Sequence, residues 1–558
     1  MNASAARESG RVYARAKSEG GERGWGPAST KYDAVIIGAG HNGLVTAAYL
    51  AKAGKRVLVL ERREVLGGRA VTEEFAPGFK ASPTTDLCGL LLPQVLRDLD
   101  LGRHGLEILP LDPAVFLPLA NGSHLTIWQE HEKTLREIER HSKTDAEAYP
   151  RFAQLIQKLT AFLRPMLSQP APRPNGASPS DLLELLRLAW GVRRLGATHM
   201  HQLFRILPMS VADLLHEWFE GEALKAALAS RGIEGVFLSP RAAGSAAVFL
   251  YHHLGQSGWP LVSWGLPRGG MGSVSKAMAE AAKARGAEIR TGAPVARIIM
   301  KNGRASGVAL ANGDELAAHL VVSSADPRTT FLKLLDPATL DTDFLLRLKR
   351  IRYRGVIAKI NLALSELPNF TCLPSKEPAA QHRGLIQIGP TMDYLEHAFD
   401  DAKYGRFSAQ PFLQATIPSL TDPSLAPPHR HVLSIIMQYA PYHLRGGTWG
   451  DGGEALGDSV VDTLNEYAPN LKGSVLHRQV LTPLDLEEIY GLPEGNLHQG
   501  DLALDQMFFM RPVPGWARYR TPVPNLYLCG SATHPGGGIS GAPGYNASRQ
   551  ILKDWAKL

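Results

Sequence analysis

The stretch Tyr32–Gly43 constrains this chain most, because an apolar strand runs directly into the pattern Gly-x-Gly-x-x-Gly. In such a turn Gly38 allows the sharp reversal, Gly40 lets backbone approach a pyrophosphate, and Gly43 permits close packing of the following helix. The segment Leu44–Lys52 predicts that helix, and its N-terminal N–H groups would face the phosphates. The sequence therefore predicts a dinucleotide-binding unit around residue 40.

A second predicted strand, Arg56–Leu60, ends in an acid that discriminates among the nucleotides. The carboxylate of Glu61 is placed to accept hydrogen bonds from both hydroxyls of an adenosine ribose. An acid here disfavours a 2′-phosphate, so FAD or NAD is expected rather than NADP.

The run Arg62–Arg69 favours FAD over NAD. It places the pair Gly67 and Gly68, followed by Arg69, just beyond the ribose-binding carboxylate. A second close approach of backbone to phosphate needs glycine, and a guanidinium can neutralise phosphate oxygens. An ordinary glycine-rich turn is the alternative interpretation. The pattern Glu-x5-Gly-Gly-Arg resembles the second FAD-binding motif of the amine oxidase and phytoene desaturase superfamily.

Another glycine-rich element lies far along the chain, where the predicted strand Leu526–Leu528 leads into the loop Cys529–Asn546 and a final helix. N–H groups at that helix start would face the flavin N1–C2=O, where negative charge develops on reduction. Gly541 and Gly544 would let the flavin ring approach without a Cβ clash. A flexible tail is the alternative, but it does not explain the flanking strand and helix. The two glycine-rich elements must meet around one extended cofactor, which predicts a discontinuous nucleotide domain.

Length and composition exclude several other classes of protein. At 558 residues, two or three domains are expected. The formal net charge of +7 comes from scattered basic residues, so nucleic-acid binding is not expected. None of the three cysteines forms a Cys-x-x-Cys pair, which disfavours a redox pair or zinc knuckle and suits a reducing compartment. We expect a cytoplasmic protein, or one of the mitochondrial matrix if the source is eukaryotic.

The middle of the chain mixes helical and strand patterns. Gly269–Gly272 opens a predicted helix, Ser273–Arg285, with no strand before it, so it is a poor second dinucleotide motif. Two Asn-Gly turns, at Asn302 and Asn312, predict a β-meander. The predicted helices of the middle region are Glu132–His141, Ala146–Leu163, Asp181–Leu195 and Val211–Ala229, and the run Pro170–Gly176 is interpreted as a linker.

The segment Leu182–Leu195 predicts an amphipathic helix with arginines beside leucines and Trp190. A basic amphipathic helix with tryptophan can lie on a membrane surface, although packing against its own domain is the more common role. A membrane surface is therefore a candidate partner, and peripheral attachment is the form expected, because no apolar run is long enough to span a bilayer.

The chain as a whole resembles the phytoene desaturase and carotenoid isomerase branch of FAD oxidoreductases. The resemblance covers roughly residues 31 to 556 and includes Val71–Glu74, Pro77–Lys80, Thr330–Leu334 and Arg511–Pro514, besides the glycine motifs. It implies an α/β fold, with a discontinuous Rossmann-type FAD-binding domain and an inserted mixed α+β substrate domain. The expected FAD-binding segments are 32–125, 265–330 and 506–558, the substrate segments are 126–264 and 331–505, and residues 1–31 are expected to be a disordered tail.

The resemblance and the motifs together predict the residues that contact FAD. Val295 stands where the superfamily places backbone beside the adenine. The full predicted set is Gly38, Gly40, Asn42, Gly43, Glu61, Arg62, Gly67, Gly68, Arg69, Val295, Gly530, Ser531, Gly541 and Ala542.

Residues for the chemical step are harder to identify from the sequence. His534 lies in the flavin loop, where it is a proton donor or simply holds the loop. Lys359 matches the kind of position from which amine oxidases aim a lysine at flavin N5, but a strand lysine that points to solvent is the favoured interpretation. Arg268 is a candidate for a polar substrate end. No metal site is expected, since the pairs His252-His253 and His429/His431 lack supporting carboxylates.

The resemblance implies hydride transfer between flavin N5 and a hydrophobic, isoprenoid- or lipid-like substrate, by a desaturase, saturase or isomerase. Two alternatives stay open. One is a regulatory or binding flavoprotein with little turnover, which suits the absence of an obvious acid–base set. The weaker one is an amine oxidase.

Overall fold

A computed structural model describes residues 32–171, 179–255, 261 and 264–555. The predicted tail 1–31 and most of the predicted linker Pro170–Gly176 therefore lie outside the described residues. The strands, in chain order, are β1 Tyr32–Ile37, β2 Val57–Leu60, β3 Glu73–Ala76, β4 Phe79–Ala81, β5 Ile108–Pro110, β6 Val115–Pro118, β7 His124–Ile127, β8 Gly265–Pro267, β9 Glu288–Arg290, β10 Val295–Lys301, β11 Arg304–Leu310, β12 Glu315–Ser323, β13 Ile357–Leu364, β14 Leu385–Ile388, β15 Phe412–Thr416, β16 His431–Gln438, β17 Val475–Leu481 and β18 Leu526–Leu528.

Helices separate and cover these strands. In chain order they are α1 His41–Lys52, α2 Pro93–Asp98, α3 His131–Glu139, α4 Lys143–Leu163, α5 Pro179–Leu195, α6 Ala197–Ile206, α7 Val211–His216, α8 Glu222–Ile233, α9 Ser245–His252, α10 Met271–Lys283, α11 Thr342–Lys349, α12 Ala380–Arg383, α13 Met392–Lys403, α14 Trp449–Tyr467, α15 Leu471–Ser474, α16 Pro483–Tyr490 and α17 Ala542–Trp555.

The first sheet has a parallel half in the order β9-β2-β1-β12-β18. β1 and β2 are buried along nearly their whole length, as expected of strands covered on both faces. The meander β10-β11-β12 continues this sheet in antiparallel fashion. Helix α1 packs against both α10 and α17, which joins the two ends of the chain on one face of the sheet. Because the parallel strands share one direction, the segments that follow them meet at one edge.

The second sheet has the order β17-β13-β16-β15-β14-β6-β7. Its centre is antiparallel, with β13 paired along its whole length to β16. The sheet includes β6 and β7, whereas the predicted boundary at residue 125 assigns β6 and half of β7 to the FAD-binding segment. The described chain therefore enters its second sheet earlier than the sequence pattern suggests, because β6 pairs with β14, about 270 residues further along.

Two details of the predicted elements are wrong. The expected helix Val211–Ala229 is two helices, α7 and α8. The break has a clear cause, since the carboxylate of Asp145 accepts the backbone N–H groups of Glu220 and Gly221, both at 2.8 Å, and so holds the chain before α8. A short strand, β8, does precede Gly269, but it pairs antiparallel with β5 outside the parallel sheet.

Within the described ranges, no helix combines the length and apolar character needed to cross a bilayer.

Candidate functional site

The turn after β1 has the backbone that a close approach requires. Gly38 has φ +92°, in the left-handed region that favours glycine. A Cβ on Gly43 would lie 2.2 Å from the Gly38 carbonyl oxygen, so α1 starts in direct contact with the turn. At Gly40 the nearest atom to an added Cβ is 3.8 Å away, on Ser324. The turn is thus tight at Gly38 and Gly43 and open at Gly40, where a phosphate would approach.

The second glycine pair lies directly against this turn. The Gly67 N–H donates to the Ala39 carbonyl at 2.9 Å, and an added Cβ on Gly68 would lie 3.3 Å from the Gly40 Cα. Gly67 and Gly68 have φ +121° and +61°. The two motifs therefore form one glycine-lined wall, and a side chain at either position of the pair would fill it or strain it.

Glu61 follows β2 and is buried beside the same wall. Its Oε2 accepts the Ala39 N–H at 2.9 Å and its Oε1 accepts the Arg63 N–H at 3.1 Å, which fixes the carboxylate at the cavity. Arg62 lines the cavity rim and donates to the carbonyls of Glu488 and Ile489. Val295, at the start of β10, lines the same end.

The distant flavin loop reaches this wall through a side-chain contact. The Asn42 Nδ2 donates to the Ser531 Oγ at 3.2 Å, across 489 residues of sequence. A Cβ on Gly544 would lie 2.2 Å from the Asn42 carbonyl oxygen, so the start of α17 packs directly on the start of α1. The predicted fold-back of the carboxyl end onto the first motif is thereby confirmed.

Together these segments enclose a cavity of about 330 Å³. Ten of the fourteen predicted FAD-contacting residues line it: Gly38, Gly40, Asn42, Glu61, Arg62, Gly67, Gly68, Arg69, Val295 and Ser531. The other four, Gly43, Gly530, Gly541 and Ala542, do not line it and instead pack behind its wall. Gly530, for example, is against Ser324, whose carbonyl oxygen would lie 2.5 Å from an added Cβ.

The polar atoms of this cavity fit a cofactor such as FAD. Five buried atoms of lining residues make no hydrogen bond to a described residue: His41 Nε2, Asn42 Oδ1, Arg63 Nη1, Arg69 Nε and Gln499 Oε1. Burial lowers the pKa of the Arg69 guanidinium to about 10, so it stays cationic, and burial with the nearby Arg69 charge lowers the pKa of His41 to about 3. Donors, acceptors and one buried cation without partners suit a large anionic ligand.

Several lining residues stand outside the sequence motifs. Ser324 and Asp326 follow β12, which lies beside β1, and Gln499 comes from a loop before β18. The signal for Ser324 was present, because a residue just after a parallel strand is expected at the ligand-binding edge. Its detection required the pairing of β12 with β1, which no local motif reveals.

A second cavity, of about 50 Å³, adjoins the first, and Arg69 and Leu497 line both. Much of its wall is apolar, from Leu87, Leu90, Ile357, Ile436, Leu497 and Ile539. Its polar lining includes Glu234, His252 and His498. The volume is several times that of the smallest cavity that holds one water molecule, so it suits the reacting end of a ligand.

The comparisons with known proteins agree with this geometry. The model of the flavin containing amine oxidoreductase family matches residues 43–435. The chain belongs to that family.

Several relatives align over nearly the full chain. The chain is 40% identical over 545 residues to the pyridine nucleotide-disulfide oxidoreductase domain-containing protein 2 of Rattus norvegicus, with 94% of each chain covered. It is 28% identical to one of the subunits of the limonene dehydrogenase of Castellaniella defragrans, with 94% of each covered. It is 26% identical to the neurosporene-forming phytoene desaturase of Cereibacter sphaeroides, with 93% and 94% covered.

Solved structures show the same fold. Putrescine oxidase bound to putrescine superposes with a TM-score of 0.55 at 15% identity, covering 94% of this chain and 99% of that one. An oxidoreductase from Methanosarcina mazei gives a TM-score of 0.56 at 18% identity, covering 93% and 99%. The family membership confirms the predicted phytoene desaturase-like α/β fold and the cofactor, FAD, and identifies the protein as an oxidoreductase enzyme.

In this flavoenzyme, the first candidate for the chemical step, His534, is buried in the flavin loop. Its Nε2 donates towards the carbonyls of Met166 and Gln169, both at 3.0 Å, and burial lowers its pKa. His534 lines neither cavity. These contacts are those of a residue that holds the loop on the segment after α4.

Lys359 does not point to solvent, and that interpretation is wrong. Its side chain is fully buried, with Nζ 2.8 Å from Asp86 Oδ2 and 2.7 Å from Ser434 Oγ. Burial lowers the pKa of the ammonium group, which the Asp86 carboxylate opposes. The side chain lines neither cavity, so the structure gives it a buried ion pair and no place beside the flavin site.

Arg268 lies at the surface. Its side chain is 49% exposed and forms an ion pair with Glu107 at 2.6 Å. It lines neither cavity, because its guanidinium is engaged across β8 and β5 and not directed towards the flavin loop. Nothing in its surroundings supports contact with a substrate end.

Proposed function

We propose that this chain moves hydride between flavin N5 and a hydrophobic, isoprenoid- or lipid-like substrate, as a desaturase, saturase or isomerase. The observation that carries the proposal is the apolar cavity that shares Arg69 and Leu497 with the FAD cavity. Two relatives support the substrate class, since one is named as part of a limonene dehydrogenase and another as a phytoene desaturase.

The cavity's own residues have a clear division of roles in this proposal. FAD, when bound, supplies the hydride chemistry, and the protein supplies placement and a dry environment. Ile357 and Ile436 come from the paired strands β13 and β16, so one wall is a rigid sheet. Leu90 and Ile539 close the side nearest the flavin loop. Apolar walls exclude water and favour a substrate carbon over a hydrated group.

Anaerobic mixing of the FAD-loaded chain with limonene or phytoene tests the proposal. Bleaching of the flavin's visible absorbance measures hydride transfer to flavin, and reoxidation of the chemically reduced flavin by the same panel measures the reverse. We expect Ile436→Asn to lower kcat/KM at least about tenfold, since a buried polar group without a partner weakens apolar binding. Leu476→Asn, at a 45% exposed leucine of β17, is the control.

The two alternative functions predict different experimental results. A binding flavoprotein would show no turnover with any apolar substrate in either direction. An amine oxidase would release hydrogen peroxide from amines in air. The buried Lys359–Asp86 pair lines neither cavity and gives no support to a lysine acting at the flavin.

We also propose that helix α5 holds the protein on an anionic membrane surface. Its exposed apolar residues include Leu182, Leu183, Leu186 and Trp190, which are 58%, 48%, 58% and 66% exposed. Arg187, Arg193 and Arg194 are exposed on the same helix. An apolar helix surface flanked by arginines complements acidic headgroups.

Flotation with vesicles of phosphatidylcholine and phosphatidylserine tests this attachment. The triple variant Arg187→Glu/Arg193→Glu/Arg194→Glu is expected to lose flotation. The control, Arg136→Glu/Arg304→Glu/Arg406→Glu, makes the same charge change at exposed arginines elsewhere and is expected to float as the wild type does. Equal flotation of both variants would remove α5 from the proposal.

A further inference from the structure

One wall of the second cavity carries buried polar groups that the FAD cavity does not use. They come from four separate parts of the chain: Arg231 and Glu234 at the end of α8, His252 at the end of α9, Trp264 in the loop before β8, and His498 in the loop after α16. All but Glu234 are buried. Buried polar groups without a structural need are costly, so each requires an explanation.

The buried charge of Arg231 has partners within the wall. The Arg231 Nη1 lies 2.5 Å from the Glu234 Oε2, and the guanidinium carbon lies 4.1 Å from the centroid of the Trp264 ring. The arginine is therefore neutralised on one side and stacked on the other. Its role is to hold Trp264 against the cavity.

His252 presents a hydrogen-bond acceptor at this wall. Its Nδ1 lies 2.7 Å from the Arg231 carbonyl oxygen, which can only accept, so Nδ1 carries the proton. Burial lowers the pKa of the imidazole, and a neutral ring leaves Nε2 as an acceptor. The ring lies 6.0 Å from the Trp264 ring in an edge-to-face arrangement.

One neighbouring side chain lacks a partner. The Trp264 Nε1 makes no hydrogen bond to a described residue, although Trp264 is only 8% exposed. His498 is also buried, at 6% exposed. The His498 ring lies 6.0 Å from the His252 ring. It is enclosed by glycines, since added Cβ atoms on Gly235 and Gly537 would lie 3.0 Å and 2.6 Å from its nitrogens. The wall thus combines an unpaired donor, Trp264 Nε1–H, with the acceptor on His252.

We infer that the second cavity recognises a hydroxyl group on an otherwise apolar substrate, so that the substrate is an isoprenoid or lipid alcohol and not a pure hydrocarbon. The inference rests on the proposed function and narrows it. The hydroxyl donates to His252 Nε2 and its oxygen accepts from Trp264 Nε1–H. A hydrocarbon would cover the same polar atoms without forming hydrogen bonds to them, and these unsatisfied atoms would lower its affinity.

Binding of two matched probes tests the inference. The FAD-loaded full chain is titrated with farnesol and with farnesene, and the perturbation of the flavin spectrum gives each Kd. The two probes share a carbon skeleton, and farnesene has an additional C=C bond in place of the hydroxyl. We expect the wild type to bind farnesol about five- to tenfold more tightly than farnesene.

Two variants and one control assign the preference to this wall. His252→Leu is expected to bring the ratio of the two Kd values close to one, with little change in the farnesene Kd. Trp264→Phe keeps an aromatic face for Arg231 and is expected to lower the ratio partly. His253→Leu removes the next buried histidine, whose Nδ1 bonds to the Phe249 carbonyl and which lines neither cavity, and should keep the wild-type ratio.

Each outcome has a distinct meaning. Equal affinity for the two probes in the wild type, or an unchanged ratio in both His252→Leu and Trp264→Phe, would overturn the inference and leave the proposed function standing. Binding of neither probe by a chain that retains FAD would overturn the proposed function itself. FAD content and melting temperature are measured for every variant to identify those that fold. If His252→Leu does not fold, Trp264→Phe still tests the inference.

Discussion

The FAD cavity and the second cavity differ in what builds them. The first forms where short glycine motifs, around Gly38, Gly40 and Gly67, meet at the edge of a parallel sheet. The second is built from side chains such as His252, Ile436 and His498, which come from distant parts of the chain. The glycine motifs that hold FAD could therefore serve enzymes with different substrates. The side chains of the second cavity could change without altering those motifs.

The largest expected effect is on the buried electrostatics of the second sheet. Lys359→Met leaves the Asp86 carboxylate buried without its cation and should lower the free energy of unfolding by about 3–5 kcal/mol. Lys403→Met, whose ion pair with Asp400 is 46% exposed on both sides, should cost at most about 1 kcal/mol. Chemical denaturation measures both.

The double variant Lys359→Met/Asp86→Leu sharpens this test. Removing both charges should recover most of the lost stability, because no unpaired charge remains. If Lys359→Met and Lys403→Met lower the free energy of unfolding equally, the buried ion pair contributes no more to stability than an exposed one.

The next effect tests the backbone origin of the FAD cavity. Gly43→Ala places a Cβ 2.2 Å from the Gly38 carbonyl oxygen, so α1 must move off the turn. We expect FAD affinity to fall about 5- to 150-fold, which corresponds to an overpacking cost of about 1–3 kcal/mol. Gly473→Ala is the control, since nothing lies within 4 Å of its added Cβ. Retained FAD binding in Gly43→Ala would contradict the role of this contact.

A pH effect of intermediate size comes from a buried neutral histidine near the second cavity. Burial lowers the pKa of His253 from the ordinary 6.5 to about 3. Between these values the unfolded chain binds more protons, so the stabilisation is complete above pH 6.5 and is lost as the pH falls towards 3. The group adds a slope of up to about 1.4 kcal/mol per pH unit.

Unfolding free energies at several pH values between neutral and mildly acidic measure that slope. His253→Leu should flatten it, and His216→Leu, at an exposed histidine, is the control for loss of one imidazole. Parallel slopes for wild type and His253→Leu would mean that His253 does not stay neutral in the folded protein.

The smallest expected effect is the loss of one hydrogen bond between helix α9 and the flavin loop. The Tyr251 hydroxyl of α9 donates to the Gly537 carbonyl of the flavin loop at 2.6 Å, in a buried position. Tyr251→Phe should cost about 1 kcal/mol of stability, measured by denaturation. Tyr404→Phe, at a 58% exposed tyrosine, should cost nothing measurable. If the two variants behave alike, the loop is held by other contacts, such as those of His534.

Much of the cofactor half could be predicted from the sequence. The strand, turn and helix from Tyr32 to Lys52 and the acid at Glu61 lie at the expected places. Four residues that belong to the predicted FAD motifs pack behind the wall: Gly43, Gly530, Gly541 and Ala542. A sequence motif does not say which of its residues faces the ligand.

The rest depended on pairings that no local pattern carries. His534 lies in the flavin loop by sequence, yet its partners are the Met166 and Gln169 carbonyls, which only the packed chain brings near. Lys359 has the neighbours of an ordinary strand lysine, but β13 is flanked by β17 and β16 and is buried at every position.

The nucleotide turn follows from the amino-acid sequence, because glycine at position 38 tolerates the positive φ found there and glycine at position 43 has no Cβ. The second cavity exists only in the folded chain. Its polar wall forms because α8, α9 and the loop of His498 converge, and the partner of each buried polar atom is set by that convergence and not by its neighbours in the chain.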